Sequence, residues 1–281
     1  MFLLHRYHIG AGSLRIGTRK RQDGVSKLEY TTDGITLGAD RRLGENWTLG
    51  MGVGFAHDDS TLGNDDVESI SIGRSLAVYA SYQPSTSLFV DVLVGYGTLS
   101  MDTTRYVPAF DTHARANRAG SQRFGSIAAG YEYRDEQSLL SPYARFDYSD
   151  DRLDEVTETG AGSAALSYRS ESSTAKQISL GLRAETTREA GFGLIQPRVR
   201  VEYQRHILSG DRTSVSYADL SAFRYELTLP SSNADALLLG LGSRFMLQNG
   251  LNLDLDYEFA HSSDQENSHA LFVRFTKMFG N

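Results

Sequence analysis

The sequence predicts an all-β chain: a transmembrane antiparallel β-barrel of about twelve strands with both termini periplasmic. Three observations carry that expectation. Apolar and polar residues alternate with period two along segment after segment. Short polar turns alternate strictly with long polar connections. The chain also closes on an aromatic-rich segment, in which Leu271, Val273, Phe275 and Phe279 share one face and Arg274 and Thr276 the other, with Lys277 as the one break in the apolar face.

Taken in order, Ile35, Leu37 and Ala39 alternate with Thr36, Gly38, Asp40 and Arg42. Trp47, Leu49, Met51, Val53 and Phe55 then alternate with Thr48, Gly50, Gly52 and Gly54. Val90, Val92, Val94 and Tyr96 oppose Asp91, Gly95 and Gly97. Ile195, Val199, Val201 and Tyr203 oppose Gln196, Arg198, Arg200 and Glu202. Leu251, Leu253, Leu255, Tyr257 and Phe259 oppose Asn252, Asp254, Asp256 and Glu258. Five short turns join pairs of such segments: Leu43 to Asn46, Pro84 to Thr86, Asp135 to Gln137, Arg188 to Ala190, and Gln248 to Gly250. Longer connections rich in Asp, Ser, Thr and Gly fall near residues 20–33, 59–68, 102–118, 149–174, 206–232 and 261–268. Five turns and six loops join twelve strands, and an even count returns both ends to the short-turn side.

A soluble barrel or sandwich would bury the apolar face, whereas a membrane barrel turns it to lipid. The segments run to about ten residues or more, longer than an average soluble strand and long enough to cross a bilayer. Aromatic residues gather at segment ends, at Trp47, Tyr82, Tyr96, Tyr131, Tyr133, Tyr148, Tyr203, Tyr257 and Phe279, where interfacial girdles place them.

Composition narrows the alternatives. Mean hydropathy is −0.35, and no run is apolar enough for a membrane helix, which leaves strands as the only way across. The 27 glycines, 15 tyrosines and 13 phenylalanines against 5 prolines favour strands over disorder. There is no cysteine, and the net charge of −7 argues against a nucleic-acid partner.

No catalytic motif stands up. There is no G-x-S-x-G elbow, no H-E-x-x-H and no phosphate-binding loop. The run Gly50-Met51-Gly52-Val53-Gly54 lies inside a strand and has the wrong spacing for a nucleotide loop. It reads better as small residues on the lumen face that make room inside the pore, as do Gly240 and Gly242. His57-Asp58-Asp59, at the barrel rim, holds the elements of a general base without the rest of a site. Asp147, Asp150, Asp151, Asp154 and Glu155 form an acidic rim that is expected to be solvated rather than to hold a cation. Asn46-Trp47-Thr48 has a glycosylation pattern in a turn too tight to use it. No catalytic, cofactor or metal site is therefore expected.

The functional surface is the inward face. Asp40, Arg42, Asp91, Glu132, Arg134, Arg145 and Asp147 fall on it in the first half of the chain. Arg183, Glu185, Arg198, Arg200, Glu202, Arg244, Asp254, Asp256, Glu258 and Arg274 fall on it in the second. Both signs are mixed, so neighbouring strands can pair them into a network that braces a wet pore and offers a polar lining to a transiting chain.

At this point the chain resembles the autotransporter β-domains, the translocator units of type V secretion. The stretch from Gly34 to Phe55, GITLGADRRLGENWTLGMGVGF, carries their rhythm of glycines, Asp-Arg-Arg and aromatic ends. Val78 to Tyr82, Phe89 to Gly97, Ser141 to Tyr148 and the final Phe275-Thr276-Lys277-Met278-Phe279 add to it, so that the likeness covers residues 11–279. The resemblance implies a monomeric twelve-stranded barrel in outer-membrane lipid, without a cofactor. It also implies a linker helix through the pore, an N-terminal passenger exported and anchored outside, and dependence on the barrel assembly machinery. The competing function is a stand-alone outer-membrane pore or barrel enzyme. Residues 1–10 are expected to be a non-native start or the remnant of a leader or linker, and residues 11–281 the translocator domain.

Overall fold

The computed structural model describes residues 5–19, 28–62, 67–209, 212–220, 222–228, 232–263 and 266–279. Twelve long strands follow one another round a ring. They are β1 (His5–Arg19), β2 (Leu28–Leu43), β3 (Trp47–Leu62), β4 (Val67–Tyr82), β5 (Leu88–Val107) and β6 (Thr112–Tyr131). The second half comprises β7 (Ser138–Leu153), β8 (Glu171–Thr186), β9 (Gly193–Leu208), β10 (Ser232–Leu247), β11 (Leu251–Ser262) and β12 (Glu266–Phe279). Each pairs antiparallel with its neighbours in sequence, and β1 pairs with β12 from His5↔Phe279 to Arg19↔Glu266, so the sheet closes and no edge of the ring is left open. β1 begins at His5, so residues 5–10 lie in the barrel wall.

The two faces of the sheet are chemically opposite. Leu37, Met51, Val53, Leu76, Val78, Val92, Val94, Ile127, Leu180, Leu239 and Leu241 are exposed on the outside of the ring. Glu202 and Asp254 are buried on the inside. A soluble fold would invert this arrangement, since exposed contiguous apolar surface on that scale is stable only against lipid. From Trp47 to Phe55 the outward face of β3 is apolar over nine residues, eight steps along the strand. At about 3.3 Å per residue and a tilt near 40°, that spans roughly 20 Å, close to the apolar band of an outer-membrane barrel. At the turn end Trp47 stacks on Tyr82 with centroids 4.4 Å apart, and Tyr131 meets Tyr133 at 4.6 Å. Tyr96, Tyr148, Tyr203 and Tyr257 mark the other rim on the outward face.

Two expectations about connections need correction. Arg188–Ala190 is not a turn: it pairs with Gly193–Ile195, and the reversal falls at residues 191 and 192. Much of what reads as loop is strand, because β5 runs on to Val107 and β6 starts at Thr112. These polar stretches leave the membrane while still paired, so their backbone groups stay bonded to each other instead of to water. Against this projecting hairpin the connections after β7 and β9 fold a second, four-stranded sheet of Val156–Thr157, Leu166–Tyr168, Arg212–Tyr217 and Arg224–Thr228. Val107, Ala114, Ala161 and Ala165 form its small core. Glu158, almost wholly buried there, takes Arg105 Nε at 3.0 Å and Nη2 at 2.6 Å and the Leu166 N–H at 2.9 Å. Arg118 anchors the same connection by donating to Glu171, Asp154 O and Arg169 O.

Candidate functional site: the inner wall

Because successive side chains in a strand point to opposite faces, every residue of the alternate parity from the lipid stripe comes to the inner wall. Three clusters of charge form there. Glu132 takes Arg134 at 2.6 Å and Arg183 at 3.1 Å, and Arg183 also reaches Glu185 at 3.2 Å. Asp254, 1% exposed, lies between Arg244 Nε at 2.8 Å and Arg198 Nη1 at 3.0 Å, while Arg198 Nε also donates to Asp256 at 2.7 Å. Glu202, wholly closed off from solvent, accepts from the Tyr143 hydroxyl at 2.5 Å, Arg145 Nη2 at 2.9 Å and Gln204 Nε2 at 2.5 Å. Arg145 continues to Asp147 at 2.8 Å, and Arg200 pairs with Glu258 at 2.6 Å. A buried carboxylate with one partner would be costly, and the most buried of these, Glu132, Glu202 and Asp254, have two or three partners each, although both arginines at Asp254 reach Oδ1 and leave its Oδ2 without a hydrogen bond among the described residues.

The remaining inward residues are placed differently. Asp40 is buried and accepts from the Tyr79 hydroxyl at 2.9 Å. Arg42 turns to the turn end and donates to Glu45 O at 2.5 Å. Arg274 is in register with Asp254. Asp91 faces inward and has no ion pair among the described residues.

Tyr79, Tyr143, Phe89 and Phe124 are the wall residues that charge patterning misses. Each is an aromatic residue of the wrong parity for the lipid stripe, which is the signal available in the sequence. Each lies flat over a glycine of the next strand. A Cβ on Gly50 would collide with the Tyr79 ring, on Gly95 with Phe124, on Gly181 with Tyr143 and on Gly130 with Phe89, in the last case at 2.6 Å. The room that these glycines leave is thus filled by the wall's own rings. Gly242 leaves the equivalent space for the Asp256 carboxylate. Between the clusters remains a cavity of about 740 Å³ bordered by Leu93, Phe124, Arg145, Arg200, Gln204 and Glu258.

The rim candidates do not converge. His57 points outward, 3.3 Å from Asp33, whereas Asp58 points inward and accepts from Thr32 Oγ1. Among the described residues no group of three His, Cys, Asp or Glu side chains is placed to hold a metal ion.

Comparison with known proteins agrees with this architecture. The family model of the autotransporter beta-domain matches residues 11–258. The extracellular serine protease of Serratia marcescens is 25% identical over 255 residues, which cover 90% of this chain and 24% of that protein. The esterase EstA of Pseudomonas aeruginosa is 24% identical over 186 residues, covering 64% of this chain and 28% of that protein. The chain thus spans about a quarter of the length of these curated relatives. Among solved structures, the translocator domain of the autotransporter NalP from Neisseria meningitidis superposes with a TM-score of 0.80 at 18% identity, covering 97% of this chain and 88% of that one. The beta domain of the Bordetella autotransporter BrkA follows with 0.70 at 19% identity, covering 96% and 100%. With a matched family model over most of its length and a closed, lipid-facing ring of twelve strands, the chain belongs to the autotransporter β-domain family and is an outer-membrane translocator barrel.

Proposed function

We propose that this barrel exports an N-terminal passenger through its lumen and holds it at the cell surface, and that it carries no active site of its own. The observation that supports this best is the inner wall: most of its charges are neutralised in place, as by Arg198, Arg244 and Arg145 against Asp254, Asp256 and Glu202. A wall of that kind presents polarity without a strong field of either sign, which suits a passing polypeptide of any sequence better than selection of one ion. On this reading the short turns and both termini face the periplasm, the projecting hairpin and its small sheet lie outside, and assembly proceeds as a monomer through the barrel assembly machinery. The protease and esterase names of the relatives describe proteins about four times as long as the matched region. On this reading those activities reside in their passengers.

The test is to fuse a signal peptide, a reporter and the native upstream linker to this barrel. The reporter should become accessible to protease added to intact cells. A correctly assembled barrel that leaves the reporter in the periplasm would refute the translocator reading in favour of a stand-alone pore.

A further inference from the structure

The outward face bears a second feature, a belt of polar side chains at the loop end of the apolar band, interrupted on β4 by Ile72 and Ile70. Most of its basic side chains already have partners. His57 is 3.3 Å from Asp33, Arg205 is 3.4 Å from Asp235, His269 Nδ1 is 2.7 Å from the Tyr257 hydroxyl and His261 Nδ1 is 2.7 Å from Asn267. On the arc from β4 to β8 the pattern changes. Arg74, Arg123 and Lys176 point outward, and their side chains make no ion pair or hydrogen bond among the described residues.

These three stand at one height. Following the hydrogen-bonded rung from Arg74 through Thr98 leads two strands on to Ser121, and Arg123 lies two residues from there toward the turn end. The rung from Arg123 through Asp150 leads to Thr174, and Lys176 again lies two residues toward the turn end. One residue of descent per strand is the stagger that tilt imposes on a closed barrel, so the descent keeps the level constant. The turn ends agree, because Tyr82 lies eight residues below Arg74 and Tyr131 eight below Arg123. That separation is about 20 Å along the barrel axis, near the far edge of the apolar band. The cations recur on every second strand, about 10 Å apart. Tyr96 stands between the first two and Tyr148 between the last two, both outward and well exposed. The carboxylate in register with Arg123 is Asp150, which accepts from Thr174 Oγ1 at 3.4 Å.

Unpaired arginines at the edge of a hydrocarbon layer are costly unless they extend to an anion at the interface. The anions present there are lipid phosphates, and a guanidinium suits a phosphate's oxygens with paired donors. We propose that the outward arc of β4–β8, with Arg74, Arg123 and Lys176 as its basic groups around the single carboxylate of Asp150 and Tyr96 and Tyr148 as its apolar floor, seats the phosphate-bearing headgroup of an outer-leaflet lipid. This rests on the reading that the loop end faces outward. A lipid held on one side of the wall fixes the barrel's rotation and depth beneath the external sheet.

The experiment compares the unfolding midpoint of the refolded full chain in phosphatidylcholine vesicles with and without bis-phosphorylated lipid A. The readout is the heat-dependent change of gel mobility. The midpoint should rise with the phosphorylated lipid and not with its dephosphorylated form or with inorganic phosphate. Arg74→Gln/Arg123→Gln/Lys176→Gln should fold at least as well in pure phosphatidylcholine, since it removes charge from the lipid side, and should lose the rise. Arg74→Lys/Arg123→Lys should keep most of it. An equal rise in the glutamine variant, or with dephosphorylated lipid, overturns the proposal. So does a shift that follows dimer formation instead of lipid, which would make the arc a contact between copies. Protease accessibility of the external sheet on intact cells reports separately on which side the loops lie.

Discussion

Replacing Val92 by arginine is the sharpest probe of which face meets lipid. Val92 is 40% exposed on the outside and lies between Ala80 and Ile127 on the neighbouring strands. It lies four residues above Leu88, where β5 begins. At about 3.3 Å per residue and 40° of tilt, that is roughly 10 Å along the axis, within a few ångströms of the middle of a 25 Å apolar band. Arginine at that depth costs about 2–4 kcal/mol, a factor of roughly 30 to 1,000 in the folding equilibrium. Asp91, the next residue, faces the lumen and has no ion pair to lose among the described residues. Asp91→Arg should therefore cost less than about 1 kcal/mol, the usual range for a substitution that breaks no buried contact. Urea titration of both variants refolded in vesicles, read by tryptophan fluorescence and gel mobility, measures the difference. Equal costs at the two positions, or a larger cost at Asp91, would refute the face assignment and with it the membrane barrel.

Three further outcomes follow from the wall and the four-stranded sheet. Gly130→Ala should lose about 1–3 kcal/mol, because its Cβ would fall 2.6 Å from both the Phe89 ring and Pro142 O; Phe89→Ala added to it should recover only part of the loss in the same urea titration, because the carbonyl clash remains. Arg198→Ala should cost about 1–3 kcal/mol by leaving Asp254 and Asp256 with fewer donors, and Asp256→Asn in that background should restore part of it, which a double-mutant cycle would register. The four-stranded sheet at the loop end should loosen at alkaline pH: burial, and next the Glu158 carboxylate, raises the Tyr168 hydroxyl above its ordinary value. A group whose folded pKa is raised contributes stability that is intact below about pH 10 and lost as pH climbs through the folded value. Hydrogen exchange at Leu166–Tyr168 should therefore gain an opening component above pH 10 that Tyr168→Phe lacks.

The lipid face was legible in the sequence because period-two alternation has only two solutions, and the charges on the second face identified that face as the one away from lipid. Asp254, Asp256 and Glu258 against Leu253, Leu255 and Tyr257 leave one parity for each face, and the structure keeps it. Pairing partners across strands were not legible, since they depend on register: Arg198 meets Asp254 and Asp256 two strands away, and nothing local fixes that match. The glycines were misread in part for the same reason. Gly50 by itself signals room, and only the register that brings Tyr79 opposite shows what occupies it. The projecting β5–β6 hairpin leaves no strand signature in the sequence because residues such as Asp102, Thr103, Thr104 and Arg105 have loop composition. In water a strand pair needs no apolar face when a second sheet covers one side of it.

A polypeptide that passes along this inner wall must come within reach of Gln204 and not of Val92. A photo-crosslinking residue placed at Gln204 on the inner wall, and separately at Val92 on the outer face, tests it in cells that export a passenger stalled by a folded block. Crosslinks from position 204 to the stalled passenger, with none from position 92, are the expected result. A passenger that reaches the surface while position 204 stays uncrosslinked would mean that it takes another route than the lumen.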